Sequence, residues 1–127
     1  MSKIPAISVA IPTYNREEVL VNTINDVLSG QSFEDFELII VDQTIKHTEE
    51  TERFINSITD KRFRYFRTSP PSVTIARNFA MQKALAPYII FLDDDVVLDK
   101  DLVKNFLETF LYKPDISAVA GRVLQDG

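Results

Sequence analysis

Leu38-Ile39-Ile40-Val41 and Tyr88-Ile89-Ile90-Phe91-Leu92 are apolar at every position. Runs this short do not complete a stable helix, and they lack the alternation of a strand with one wet face. Each predicts a strand buried on both sides, the arrangement of a parallel sheet with helices above and below it. Ile7-Ser8-Val9-Ala10-Ile11 reads as a further strand, ended by Pro12, and Phe63 to Phe66 as a short one. The segments between these strands carry helical periodicity.

The first helix is expected to be capped by Asn15, with Glu18 completing a capping box, and to stop at Gly30. Its inner face is Val19, Leu20, Thr23, Ile24, Val27 and Leu28. A polar segment from Thr44 to Thr51 leads into a second helix with Phe54, Ile55 and Ile58 inward. Ser72, after the Pro70-Pro71 turn, caps a third helix running through Ala84. Asp99 caps a fourth, with Leu102, Val103, Phe106, Leu107, Phe110 and Leu111 inward and Pro114 closing it. A fifth strand is expected over Ile116 to Leu124. Strand and helix alternate four times before that last strand. The fold class is therefore α/β, a mainly parallel open sheet with right-handed crossovers and helices on both faces. Residues 1–127 read as a single domain.

Composition excludes several chemistries. The net charge of -5 disfavours non-specific nucleic-acid binding. Arg62, Arg64 and Arg67 alternate with aromatic residues and read as the solvent face of a strand. The absence of Cys excludes disulfides, thiolate nucleophiles and Cys-ligated zinc. No apolar run approaches the ~20 residues of a membrane-spanning helix, and the first residues do not form a signal peptide. A cytoplasmic location is expected.

Ligands of open α/β sheets bind outside the carboxyl ends of the strands. Three predicted strands end in polar signals: Pro12-Thr13-Tyr14-Asn15, Asp42-Gln43 and Asp93-Asp94-Asp95. Topology places all three on one rim. Adjacent carboxylates repel one another, and hard oxygen donors of this kind suit Mg²⁺ or Mn²⁺, which takes one or two protein carboxylates and fills its shell with water and phosphate. Tyr14 can stack on a base, Asp42 can accept a hydrogen bond from a base or ribose, and Arg77 can reach a phosphate or base. His47, the only histidine, lies in a polar segment with no partner pattern and reads as a surface residue. Ser72 and Thr74 have no histidine nearby to activate them. With three Gly in all, neither glycine-rich phosphate loop can be built.

Val9 to Arg16, Leu38 to Asp42, Ala76-Arg77-Asn78 and Tyr88 to Asp95 together resemble glycosyltransferase family 2, over roughly residues 6 to 122. The resemblance implies the GT-A fold, a nucleotide-diphospho-sugar donor and a divalent metal. It gives Thr13 and Tyr14 to the nucleobase pocket, Asp42 to the base and Arg77 to the nucleotide. In the DXD-type block it gives Asp94 to the ribose, and Asp93 and Asp95 to Mn²⁺ or Mg²⁺. Two positions depart from the family pattern: Gln43 replaces a second Asp, and Ala80 a Gly.

The expected function is metal-dependent, inverting transfer of a sugar, with UDP-sugar as donor, to an acceptor hydroxyl on a saccharide, lipid or protein. The general base of such enzymes lies well downstream of the acidic motif. It is expected beyond Gly127, with the acceptor-binding half and any contact to a membrane surface. The alternative is a module that binds the nucleotide sugar without turnover. Phospho-receiver and haloacid-dehalogenase readings fail because their acidic pair follows the first strand, where this chain has Pro-Thr-Tyr-Asn.

Overall fold

The computed structural model describes residues 4–95, 97–112 and 118–120. In chain order its elements are β1 (Ile7–Thr13), α1 (Glu18–Gly30), β2 (Phe36–Asp42), α2 (Glu49–Ser57), β3 (Phe63–Arg67), α3 (Val73–Lys83), β4 (Ile89–Phe91), α4 (Leu102–Tyr112) and β5 (Ala118–Ala120). The strands form one sheet in the order β3-β2-β1-β4-β5, and every pairing is parallel. The expected α/β alternation is the one observed. Of the expected fifth strand, only 118–120 falls within the described residues. No helix among them is long and apolar enough to cross a membrane.

Successive side chains of a strand point to opposite faces, and the apolar runs supply both. Ile7, Val9 and Ile11 join Leu38, Ile40, Ile90 and Leu92 on one face, under α1 and α4. Ala10, Ile39, Val41, Ile89 and Phe91 form the other, under α3. The α3 contact is made by Ala76 and Ala80, four residues apart on one helical stripe and both fully buried. Ala80, where the family pattern has Gly, thus seats the helix close to the sheet.

Several expectations are corrected. Pro12 does not end the first strand, which continues to Thr13. By strand alternation the side that lacks an N–H faces β4, whose ladder with β1 stops at Ala10, so no hydrogen bond is lost. Asn15 does not cap α1; it adopts φ 55°, a left-handed turn residue, and its N–H donates to Thr44 Oγ1 at 2.7 Å. Val19 and Leu111 are exposed, because each sits about 100° around its helix from a fully buried neighbour, Leu20 and Phe110. Arg64 is not simply a solvent-face residue: it donates to Glu37 at 2.8 Å, a carboxylate only 4% exposed. Glu37 also accepts from Ser8 Oγ and from the Leu85 N–H, both at 2.6 Å, and so ties the α3–β4 connection to the sheet. Ser72 caps α3 as expected, accepting from the Ile75 N–H.

Candidate functional site

The chain leaves β1 toward β2 on one side and returns to β4 on the other, so the strand order reverses direction beside β1. The carboxyl ends of β1 and β4 flank that switch point, where open α/β sheets bind ligands. The site is bridged there by one bond: Thr13 Oγ1 donates to Asp94 Oδ2 at 2.8 Å, joining residues 81 positions apart. Thr23 on α1 donates to the Asp94 carbonyl at 2.7 Å and fixes the backbone of the acidic block. Arg16 lies 3.5 Å from Asp94 Oδ1 and 3.8 Å from Asp95 Oδ2.

The three carboxylates differ in environment. Asp94 is largely buried, while Asp93 and Asp95 are exposed. Burial pushes the Asp94 carboxyl up; Thr13 and Arg16 pull against it, and Asp95 and Asp93 push it up further. Hard, exposed oxygen donors beside a repelled carboxylate fit a divalent cation that takes few protein ligands. Among the described residues no three acidic or histidine side chains are placed to hold a metal ion together, so most of such a cation's shell would come from water and ligand. Tyr14, 47% exposed, presents its ring at the loop after β1. Arg77 is exposed on α3, its guanidinium 5.6 Å from the centroid of Phe91 at the end of β4.

Asp42 pairs in register with Thr13, yet its carboxylate is fully buried. Oδ2 accepts from the Tyr65 hydroxyl at 2.5 Å and meets His47 Nε2; Oδ1 accepts from the Thr44 N–H at 2.9 Å. These hydrogen bonds outweigh burial and hold the Asp42 carboxyl below its usual range. Burial and the adjacent carboxylate push the Tyr65 phenol well up.

The surface reading of His47 is also corrected: its side chain has no exposed surface. Nδ1 lies 2.9 Å from Glu17 Oε2, and Nε2 meets Asp42. Burial would lower its pKa, but the hydrogen bonds to Asp42 and Glu17 prevail and raise it. The partners lie 5 and 30 positions away, so no local spacing signalled them. Gln43, at the position of the family's second Asp, clasps the β3–α3 connection: its amide donates to the Pro70 and Ser72 carbonyls and accepts from the Ser72 N–H, at 3.0–3.1 Å.

The family model for Glycosyl transferase family 2 matches residues 8–127. An uncharacterized glycosyltransferase of Haemophilus influenzae is 34% identical over 110 residues, 84% of this chain and 43% of that protein. The poly(ribitol-phosphate) beta-N-acetylglucosaminyltransferase TarP of Staphylococcus aureus is 33% identical over 101 residues, 78% of this chain and 31% of that protein. The chain thus spans under half the length of these relatives. Among solved structures, the mannosyltransferase PcManGT from Pyrobaculum calidifontis, in complex with GDP-Man and Mn2+, superposes with TM-score 0.70 at 20% identity, over 86% of this chain and 33% of that one. That likeness is one of fold.

Proposed function

The chain belongs to glycosyltransferase family 2, and from this premise we propose that the rim formed by β1, β2 and β4 binds a nucleotide-diphospho-sugar donor for metal-dependent, inverting transfer. The observation that carries the reading is the Thr13–Asp94 hydrogen bond. It makes the loop after β1 and the acidic block one site. Thr13 and Tyr14 line the base pocket, with a uridine diphosphate as the expected nucleotide. Asp42, beside Thr13, braces that wall from behind: its carboxylate is fully buried and engaged by Tyr65, His47 and Thr44. Asp94 faces the ribose, and Arg77 lies near enough to the end of β4 to reach the nucleotide. The cleft of about 440 Å³ beside Asp95, lined also by Asn22, Thr23 and Asp26, offers polar groups to the sugar.

Asp93 and Asp95 would hold Mn²⁺ or Mg²⁺. Such an ion acts as a Lewis acid on the diphosphate leaving group, whose charge grows in the transition state. The protein's own part is to hold Asp94 largely out of bulk water and to position the acidic block through Thr13, Thr23 and Arg16.

Titration calorimetry with UDP, with and without Mn²⁺, tests the assignment. Binding is expected to tighten by at least about tenfold with metal, and Asp95→Ala should abolish that gain. Equal affinity with and without metal, or an unaltered metal effect in Asp95→Ala, would sink the metal role. Tighter binding of GDP than of UDP would reassign the base.

A second reading is binding without turnover by these residues alone. Asp99 is engaged with the Asp101 N–H at 2.8 Å, and Asp101 accepts from Ser32 at 2.5 Å. Neither carboxylate matches the downstream position that the family resemblance gives to the general base, which supports a base and an acceptor site outside the described residues.

A further inference from the structure

The loop that carries Tyr14 is tied to the β2–α2 segment by a set of hydrogen bonds. The Gln43 N–H donates to the Thr13 carbonyl at 2.9 Å, and the Asn15 N–H to Thr44 Oγ1 at 2.7 Å. Glu17 accepts from the Thr48 N–H at 3.0 Å and meets His47 Nδ1 at 2.9 Å. Tyr14 lies between the first two ties. The imidazole also grips Asp42 on its other side, as Thr44 does through its N–H.

A neutral imidazole has one N–H and one lone pair. Placed between two carboxylates, it would turn the lone pair toward one of them. Both contacts are satisfied only by the imidazolium. We propose that His47, as an imidazolium held between Asp42 and Glu17, is a positioning residue that locks the β2–α2 segment onto the loop bearing Thr13 and Tyr14. The lock's effect on donor binding rests on the reading of that loop as the nucleotide pocket. Facing the relay are Tyr65 on Asp42, the Arg67–Glu52 pair from β3 and α2, and Glu50, which lines the same surface groove as Glu17.

The sign of the pH dependence follows. His47 titrates above its ordinary value in the folded chain. Its contribution is therefore complete below the unfolded value near 6.5 and is lost as pH rises through the raised one. Donor affinity should fall on the alkaline side through the same inflection.

Two readouts on the intact protein test the lock. The ¹⁵N shifts of His47 should show both ring nitrogens protonated at pH 7, and a neutral single tautomer there would overturn the proposal. UDP affinity with Mn²⁺, measured from pH 6 to 9, should fall by about tenfold per unit of linked protonation shift. His47→Gln should bind several-fold more weakly at pH 6.5 and lose that inflection; wild-type affinity and profile in His47→Gln would overturn it. Should His47→Gln not fold, Glu17→Gln keeps the Asp42 contact, and its inflection should move to lower pH; an unmoved inflection counts against the lock. If UDP binds the wild type at no pH, the donor reading fails. The lock is then decided by Asn15 amide exchange, which, corrected for intrinsic rate, should quicken above the His47 inflection if the lock holds and stay flat if it does not.

Discussion

Burial pushes the Asp94 carboxyl up, so the folded chain holds this proton more tightly than the unfolded one. Stability is then lost as pH rises from the unfolded value near 3.8 through the raised one, and at neutral pH Asp94 is a net cost. Asp94→Asn removes the charge and keeps an oxygen to accept from Thr13. It is expected to raise Tm by about 2–5 °C in thermal melts at pH 7, while weakening UDP binding in the presence of Mn²⁺. A lower Tm would show that the ionised carboxylate stabilises the fold. Asp42 and Glu17 have the opposite sense: both are held below their usual range. Their contribution is present above the unfolded values of 3.8 and 4.5 and is lost as pH falls through the lowered ones. With His47 acting on the alkaline side, the relay is strongest between those limits.

Among the elements, α3 packs on the sheet through alanines. Its buried stripe is Ala76 and Ala80 against Ala10, Ile39 and Phe91, and close-packed cores accept extra methylenes poorly. Ala80→Leu should destabilise by about 1–3 kcal/mol, read as a lower urea midpoint with unchanged slope; an unshifted midpoint would mean that the helix can lift without cost. Lifting α3 also moves Arg77, which stands on the same helix over Phe91. The α1 entrance shows how an element boundary can mislead. Asn15 followed by Glu18 fits a capping box, yet Asn15 takes up the left-handed region and the helix begins at Glu18. Asn is a good cap and also tolerates αL, and the partner that decides between these roles, Thr44, is 29 positions away.

For the whole molecule, the reversal of strand order beside β1 brings the loop after β1 and the acidic block after β4 to the same rim. On the proposed reading the residues that activate the leaving group lie within this chain, whereas the base for the attacking hydroxyl is expected downstream of the acidic block, outside the described residues. The 127-residue chain is therefore expected to bind UDP with Mn²⁺ but to transfer little or no sugar from a UDP-sugar to acceptors. Transfer by this chain at a rate typical of enzymes, ~1–10³ s⁻¹, would locate the base within it and overturn the division. Hydrolysis of the donor by water is a separate activity and does not count as transfer.

By itself the sequence determined the strands, the two buried faces and the rim. Apolar runs such as Leu38-Ile39-Ile40-Val41 carry this information locally, because covalent geometry sends successive side chains to opposite faces whatever the rest of the chain does. The convergence of Thr13, Asp42 and Asp94 was legible too, since carboxyl ends of parallel strands share one edge. Only the tertiary structure decided that Asp42 is sealed by Tyr65 and His47, that His47 is buried, and that Gln43 holds the β3–α3 connection. Tyr65 and Asp42 are 23 positions apart and Gln43 and Pro70 are 27, while His47 meets Asp42, five positions away, only because the chain folds back at the end of β2. A buried polar group must find a partner, but which partner depends on strand order and register, and no periodicity within the chain records that choice.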